Sequence, residues 1–411
     1  MKRLIDEIVK IDFKKIFSVT KREINILSKD INIITIVLIA PIFYAFFYST
    51  IYMNKIESDV PVIIVDDDRT TTTQEIIRNL DAHQLIEIEG TTTDLSTAQK
   101  MLNDGNVQAI IYFTNNFEAD LKSGKGSFVK VGLNTTRFLV SNDINKAINE
   151  VIGTINVGIR LKYFETKGYS YQQSRDMIEP VITDVRPLFN FTESYGDFLI
   201  PGMLVLILQQ TLLIGLSESM AKEREKRLLQ DLFQASGDSI FNSIFGKGIL
   251  YLILYSVYSL FFFSVTFALL KIQFSGSVLA VILLTLLLLM SVIFLSLFLS
   301  SFFKRKIISL QVFAFSSYPI FLISGYSWPL ESMPIYIKAI AMALPSTPYL
   351  NAFQRITQMG AGVNDVLPEL LHLIILTLVA FLLVVYRSKS LSHNYLSNKN
   401  LFQPVLNTIK D

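Results

Sequence analysis

Six long apolar segments constrain the fold of this chain more than any other feature. Each approaches or exceeds the roughly 20 residues that an α-helix needs to cross the hydrocarbon layer of a bilayer. The predicted spanning segments are 31–53, 198–216, 249–270, 278–303, 308–327 and 369–386. The mean hydropathy of +0.44 supports the assignment, because soluble chains of this length are more polar. The sequence therefore predicts an α-helical polytopic membrane protein with six transmembrane helices.

The distribution of lysine and arginine predicts how these helices are oriented. Residues 1–30 hold eight of them and 217–248 hold five, whereas the connection after the third spanning segment holds Lys271 alone. Short connections rich in Lys and Arg stay in the cytosol, while long domains cross the membrane largely regardless of charge. We therefore expect both termini, including the tail 387–411, in the cytosol and residues 54–197 outside it.

Residues 4–28, before the first spanning segment, have the pattern of an amphipathic helix. Apolar residues recur at helical spacing and basic residues surround them. The apolar positions are Ile5, Ile8, Val9, Phe13, Ile16 and Phe17. The pattern favours a helix on the inner membrane surface, with a solvated cytosolic helix as the alternative.

The large segment 54–197 alternates predicted strands and helices, as an inserted extracytosolic α/β domain would. The predicted strands are 60–66, 85–89 and 107–113, and the predicted helices are 73–82, 94–103, 142–165 and 171–179. A βαβαβ order implies a small parallel sheet. Because the chain has no cysteine, the domain must fold without disulfides.

Residues 328–367, between the last two spanning segments, are too polar and too rich in proline to cross the membrane. Irregular backbone at membrane depth is tolerated only where protein covers it. We therefore expect short helices that dip into the outer leaflet as a re-entrant segment.

The ionisable residues argue against an ion-coupled carrier. The predicted spans hold no Lys, Arg or Asp, and their one Glu is Glu369 at an end. Carriers of that kind usually place ionisable groups near the middle of the membrane. The polar candidates are Gln209, Gln210, Gln311 and His372. We interpret the glutamines as groups that join helices, which is the more frequent role of buried glutamine.

No pattern for catalysis, cofactor binding or metal binding is present. The phosphate-binding loop G-x-x-x-x-G-K-[ST] does not occur, so energy for any transport must come from another chain. Asp66-Asp67-Asp68 follows a predicted strand and could suggest a metal site, but we favour a solvated turn that caps the next helix. The net charge of +2 reflects topology and predicts no nucleic-acid partner.

The most charged connection, 217–233, reads SESMAKEREKRLLQDLF and predicts one cytosolic helix. Glu218 and Lys222 are spaced to pair along it. Its end carries an apolar patch of Leu228, Leu229, Leu232 and Phe233. Such a patch suits docking into a groove of a partner protein, although a charged extension at the membrane surface fits equally well.

Four motifs follow one another along the chain: RPLFNFTESYGDFLIPGML at 186–204, SESMAKEREKRLLQDLF at 217–233, Gly246-Lys247, and the proline-containing stretch 324–360. In this order they resemble the type-2 ABC transporter permeases that carry a large extracytosolic domain between helices 1 and 2, and the resemblance covers nearly the whole chain. The resemblance implies that residues of 217–233 couple the permease to an ATPase: Glu218, Glu223, Glu225, Lys226, Leu228, Leu229, Leu232 and Phe233. It assigns a structural role to Asn190, Pro201, Gly202, Gly246, Lys247, Pro329, Met333, Pro334, Pro345 and Gly360. One departure is Arg227-Leu228, where the family commonly has Gly-Thr.

The resemblance implies a permease subunit of an ATP-driven exporter that moves an amphipathic or lipid-like substrate or a drug outward. It implies two protomers, as a homodimer or with a paralogous permease, and a nucleotide-binding ATPase subunit that binds ATP and Mg. This chain itself would be no enzyme and would hold no cofactor. A periplasmic adaptor and membrane lipid are further expected partners, and the bacterial plasma (inner) membrane is the expected location.

A membrane-anchored receptor or scaffold that acts through its extracytosolic domain, without an ATPase, is the alternative. An apolar docking patch in 217–233 distinguishes the two functions, because a receptor has no use for it.

Overall fold

The structure, a computed structural model, describes residues 11–53, 57–123, 125–178, 185–191 and 193–407. The chain divides into two compact units. One is Ile56–Arg186, and the other combines Met1–Lys55 with Pro187–Asp411. Residues 4–10 of the predicted amphipathic helix, and 179–184 ahead of the second spanning segment, lie outside the described residues.

Two capped helices begin the larger unit. Helix α1 is Phe13–Leu27, and the Asp12 carboxylate accepts a hydrogen bond from the backbone of its first turn. Asp30 caps α2, Ile31–Ile51, in the same way. Helix α2 contains one π-helical stretch, Thr35–Ile39.

The smaller unit is built on a four-stranded sheet in the order β2-β1-β3-β4. The strands are β1 Val60–Asp66, β2 Ile86–Thr92, β3 Ala109–Phe113 and β4 Val129–Leu133. Strand β1 pairs in parallel with β2 and with β3, which confirms the predicted parallel sheet. Strand β4, absent from the prediction, adds an antiparallel edge to β3.

Helices cover both faces of this sheet. They are α3 Thr71–Asp81, α4 Leu95–Asn103, α5 Phe117–Ser123, α6 Phe138–Thr166 and α7 Tyr171–Ile178. Val62 and Ile64 of β1 pack in one cluster with α3 and α6, and Ile63 and Val65 pack in another with α4. The uninterrupted apolar run of β1 follows from this burial on both faces.

The rest of the larger unit is helical. Its helices are α8 Tyr195–Glu225, α9 Leu229–Ala235, α10 Ile240–Leu269, α11 Val278–Ser300, α12 Lys306–Ile323, α13 Ile335–Met342, α14 Ser346–Thr357 and α15 Leu367–Asn407. Among the described residues, six helical segments are long and apolar enough to cross a membrane, as predicted: α2, α8, α10, α11, α12 and Asn364–Leu391. Two of these helices extend beyond their predicted spanning segments, because α8 continues through the charged residues to Glu225 and α10 begins nine residues before 249.

Helix α8 is the central element of the larger unit. It contacts α2, α10, α11, α12 and α14, and most of its apolar stretch is buried. By contrast, α12 is the most exposed of the six helices within the single chain. A side chain on Gly202 of α8 would collide with the ring of Tyr326, so this close contact requires glycine.

Pro201 lies inside α8 and has no N–H, so the carbonyl of Asp197 loses its helical donor. The side-chain amide of Gln358, after α14, donates to that carbonyl at 3.3 Å. The Tyr326 hydroxyl donates to the neighbouring carbonyl of Phe198. The residues following α12 and α14 therefore stabilise the proline turn of α8.

Residues 328–367 form the short helices that the prolines predict. The helices α13 and α14 lie between two 3-10 turns, Leu330–Ser332 and Asn364–Val366. Helix α14 is largely buried, whereas most of 328–340 is exposed within the single chain, so the expected protein cover is present over α14 alone. Its position in the outer leaflet stays a prediction.

Candidate functional site

The predicted coupling segment 217–233 is two helices with a sharp turn between them. Arg227, between α8 and α9, has a left-handed backbone with φ of 57°. The N–H of Leu228 donates to the carbonyl of Glu223 at 2.8 Å, and that of Arg227 donates to Arg224 at 3.3 Å. These two bonds form the helix-ending turn in which glycine is the preferred left-handed residue. The single-helix prediction is therefore wrong, and an arginine occupies the left-handed position of this turn.

Helix α9 packs against α1 and the beginning of α10. Leu232 is 1% exposed and Phe233 is 6% exposed within the single chain. Leu228 and Leu229 remain partly exposed. The predicted docking patch of four apolar residues is therefore wrong for Leu232 and Phe233, because their side chains form the core under α9.

A buried ionic cluster joins the end of α8 to α1 and α10. Lys247 Nζ lies 2.5 Å from Glu23 Oε2 and 2.5 Å from Glu223 Oε1. Arg22 Nη1 lies 2.9 Å from the same oxygen of Glu223. We call Arg22, Glu23, Glu223 and Lys247 the Lys247 cluster. Its two positive and two negative charges balance, which is what allows charged groups to be buried.

Neutral groups add hydrogen bonds to the Lys247 cluster, although Glu223 Oε2 has no partner among the described residues. Ser219 of α8 donates to Glu23 Oε1, and Tyr251 of α10 donates to the same atom at 3.1 Å. Burial alone raises the pKa of Glu23, but the charge of Lys247 and the hydrogen bonds outweigh it and hold that pKa below its ordinary value. Arg22 also donates to the carbonyl of Leu228 at 3.1 Å, which fastens the turn between α8 and α9.

A second ionic cluster, the Asp30 cluster, consists of Asp30, Glu218, Lys222 and Lys306. Asp30 Oδ2 lies 2.8 Å from Lys222 Nζ and 3.1 Å from Lys306 Nζ. Glu218 lies 3.8 Å from Lys306. Partial burial raises the pKa of Asp30, but the hydrogen bonds and charges of the two lysines lower it to about 2.

The turn after α11 is attached to the same end of α8. Arg224 donates to the carbonyl of Ser301, and to that of Phe303 at 3.0 Å. Glu225 Oε2 accepts from the backbone N–H of Lys306 at 2.8 Å, at the start of α12. The end of α8 thus contacts α1, α10 and the α11–α12 turn through charged side chains. A displacement of this region would be transmitted to all three elements.

The sequence matches a known protein family over most of its length. Residues 32–386 match the family described as ABC-2 family transporter protein. The chain belongs to the ABC-2 transporter family. The match covers all six candidate spanning helices in whole or in large part, and it confirms the resemblance drawn from the motifs.

A distant relative supports the assignment of this ABC-2 protein. ABC transporter G family member 20 of Dictyostelium discoideum is 26% identical over 223 residues, which is 54% of this chain. The match spans 30% of that relative's length. The relative is thus a much longer protein, and its other regions carry no information about this chain.

Three of the predicted coupling residues lie in or beside the two clusters. Glu223 belongs to the Lys247 cluster and Glu218 to the Asp30 cluster, and both are buried. Glu225 holds the start of α12, whereas Lys226 is exposed. Arg22, Glu23, Asp30 and Lys306 were missed by the sequence reasoning. The spacing of Glu23 from Ile16 and Val19, which places it on their buried face of α1, is the signal that could have found it.

The structural motif residues lie at turns and close contacts. Lys247 is the centre of its cluster, and Gly246 allows α1 to approach α10, because an added Cβ would lie 2.5 Å from that of Val19. Asn190 donates to the carbonyl of Ser194 at 2.9 Å, beside the start of α8.

The remaining motif residues shape the segment 328–367. Pro329 and Met333 flank a 3-10 turn, Pro334 and Pro345 immediately precede α13 and α14, and Gly360 takes a φ of 76°.

The acidic triplet was predicted to be a solvated turn that caps the next helix, and this is wrong in two respects. Asp66 is the buried last residue of β1, and Thr70 rather than the triplet caps α3. Asp66 accepts hydrogen bonds from the backbone of Asp68 and Arg69 and from the Thr73 hydroxyl. Asp67 accepts from the Tyr112 hydroxyl at 2.7 Å. Across the described ranges, no group of three or more His, Cys, Asp or Glu could hold a metal ion.

Proposed function

We propose that this chain is the membrane-spanning permease subunit of an ATP-driven exporter, and that a separate ATPase subunit binds ATP and Mg. Membership of the ABC-2 transporter family supports the class. The observation that carries the mechanism is the attachment of the end of α8 to α1, α10 and α12 by the Lys247 and Asp30 clusters. Movement of an ATPase against this region would be transmitted to three parts of the helical unit.

The ATPase docks on the exposed side of the α8–α9 turn. Leu232 and Phe233 are buried and so are not part of this surface. The exposed residues there are Glu225, Lys226, Arg227, Gln230, Asp231 and Gln234. Leu228 and Leu229, partly exposed, add apolar area at its edge. The polar side chains set orientation and association rate, and the leucines supply burial.

A cavity of about 510 Å³ lies between α2, α8 and α12, and it supports the proposal that the substrate is amphipathic. Its lining is mainly apolar and aromatic, with Tyr44, Tyr48, Gln210 and Tyr318 contributing polar groups. Neither amide atom of Gln210 has a hydrogen-bond partner among the described residues, although both are buried. The interpretation of Gln210 as a residue that joins helices therefore lacks support, and we assign it to substrate contact instead.

Membrane placement follows from the same proposal. We place the chain in a bacterial plasma membrane with both termini cytosolic and residues 54–197 on the opposite side, as the lysine and arginine distribution favours. A homodimer would cover the face of α12 that carries Tyr318, which is 69% exposed in the single chain. A periplasmic adaptor is the partner we propose for residues 54–197.

Docking is tested by paired tryptophan substitutions. The variant Gln230→Trp with Gln234→Trp adds bulk to the exposed side of α9 and leaves Leu232 and Phe233 in place. We expect the permease to be recovered from native membranes in normal amount but without the ATPase that co-purifies with the wild type. ATP-dependent uptake of a fluorescent amphiphile into inside-out vesicles should disappear with the complex.

Lys304→Trp is the matched control, because Lys304 is exposed in the neighbouring α11–α12 connection and should leave co-purification intact. A double variant that retains its ATPase would exclude this docking surface. A wild-type chain that captures no ATPase from its native membrane would overturn the exporter proposal and favour the receptor or scaffold.

A further inference from the structure

A second cavity lies against a different face of α8. It has a volume of about 200 Å³ and lies between α8, α11, α12 and the turn before α14. Its lining includes Gln209, Leu213, Leu295, Val312, Ser316 and Pro345. Gln209 precedes Gln210 by one residue, so the two side chains leave α8 roughly 100° apart and reach separate cavities.

The shape of this cavity suits a hydrocarbon chain. Val292 and Leu299 of α11 both line it, and seven helical residues span about 10 Å. A volume of 200 Å³ extended over two helical turns is narrow, and its lining is almost wholly apolar. No charged residue lines it, so an ionic headgroup would have no partner inside.

Gln209 provides the one unengaged polar position identified in the lining. The residue is 3% exposed, and its amide oxygen has no hydrogen-bond partner among the described residues. The hydroxyl of Ser316 is already used, because it donates to the carbonyl of Phe313 at 2.9 Å. A buried acceptor in a hydrocarbon environment is costly unless a donor reaches it, and no bulk water is present at that depth.

We propose that this cavity binds a neutral long-chain amphiphile drawn from the bilayer. A hydroxyl or amide N–H of the amphiphile donates to Gln209 Oε1, and its hydrocarbon chain lies along α11 and α12. The bilayer is the source because Val312, at the cavity, is exposed on α12, the helix with least burial. This site is separate from the cavity at Gln210 and requires neither an ATPase nor transport.

Photolabelling of the full chain in lipid nanodiscs tests this site. The probe is a long-chain fatty alcohol with a diazirine in its chain, and labelled peptides are identified by mass spectrometry. We expect labels on the cavity-lining residues of α11 and α12. Gln209→Leu should reduce this labelling about fivefold, the effect of losing one net hydrogen bond. Gln311→Leu, the same change on α12 outside the lining, should leave it unchanged.

Ser316→Phe is the second variant, because it fills the cavity from α12 and leaves Gln209 in place. It should abolish the labelling even if Gln209→Leu proves too unstable to purify. Labels spread evenly over the exposed helices, or labels that are unchanged in both variants, would overturn the proposal.

A second copy of the chain is the competing occupant, and a cysteine test separates the two. The chain has no cysteine, so Val312→Cys introduces the sole thiol. Bilayer occupancy predicts that this thiol reacts with a membrane-soluble maleimide and forms no disulfide-linked dimer. Rapid dimer formation under mild oxidation would place the cavity between two copies and overturn the bilayer site.

Discussion

Lys247 and Glu23 form a buried ion pair at 2.5 Å between residues that are 224 positions apart in the sequence. The pair joins α1 to α10, and Glu223 brings α8 into contact with the same lysine. One lysine thus holds three helices together at the end of the helical unit where we place the ATPase.

Lys247→Met should be strongly destabilising. It leaves the carboxylates of Glu23 and Glu223 buried with only Arg22 as a positive neighbour. Removing one partner of a buried ion pair typically costs about 3–5 kcal/mol. The loss would appear as a lower midpoint when the detergent-purified protein is heated and its remaining monodisperse fraction is measured by size exclusion.

The matched control for that variant is Lys226→Met, an exposed lysine in the same connection, with an expected change within about 0.5 kcal/mol. Adding Glu23→Gln to Lys247→Met should recover part of the loss, because it removes one unpaired charge. Equal midpoints for the two lysine variants would mean that the Lys247 cluster does not stabilise the fold.

Gly246→Ala should loosen α1 from α10. The new Cβ would lie 2.5 Å from the Cβ of Val19, so the helices must separate at a cost of about 1–3 kcal/mol. Limited trypsin digestion reports the change, since Lys21 and Arg22 lie within α1. Cleavage there should become faster than in the wild type.

Gly153→Ala is the control for this variant, because it lies in α6 with open space around its Cβ position. It should leave cleavage at Lys21 and Arg22 unchanged. If Gly246→Ala were digested at the wild-type rate, the contact between α1 and α10 would tolerate the added methyl group.

Arg227→Gly should stabilise the α8–α9 turn. A left-handed backbone costs a residue with a side chain about 1–2 kcal/mol, and glycine avoids most of that cost. The unfolding midpoint should therefore rise in Arg227→Gly and fall in Arg227→Val, whose β-branched side chain tolerates this backbone least. A lower midpoint for the glycine variant would show that the arginine side chain contributes more than its backbone costs.

The lowered pKa of Asp30 predicts how the stability of the fold depends on pH. Its pKa of about 2 lies below the unfolded value of 3.8, so its ion pairs stabilise the folded state fully above pH 4. That contribution falls as the pH drops from 4 towards 2, because the folded carboxylate becomes protonated. The difference in midpoint between wild type and Asp30→Asn should be constant from pH 8 to 5 and shrink below pH 4. A difference that grows in acid would contradict the assignment.

The sequence predicted the six spanning helices because long apolar runs are a local property. It could not predict the Lys247 cluster, since Glu23 and Lys247 are local neighbours only after folding. For the same reason, the sequence predicted a spanning segment that ends at 216 and a separate charged helix after it, although both belong to α8. The side chains of Glu218, Lys222 and Glu223 are buried there, with partners on other elements.

Local geometry also limited the prediction of the coupling segment. Residues 217–233 have strong helical propensity, and Arg227 gives no sign of a left-handed turn, because arginine normally favours helix interiors. Leu232 and Phe233 formed an evident apolar patch, but the sequence could not show whether α1 or a partner protein covers it. Strand β4 was missed because it is short and largely exposed at the edge of the sheet.

The distance of Glu23 from Lys247 along the chain affects how this protein is made. Ribosomes add about 5–20 residues per second, so roughly 10–45 s separate the synthesis of these two residues. For most of that interval the Glu23 carboxylate lacks both Lys247 and Glu223, because Glu223 precedes Lys247 by only 24 residues. Final docking of the first helix therefore has to wait until the third spanning helix has been synthesised.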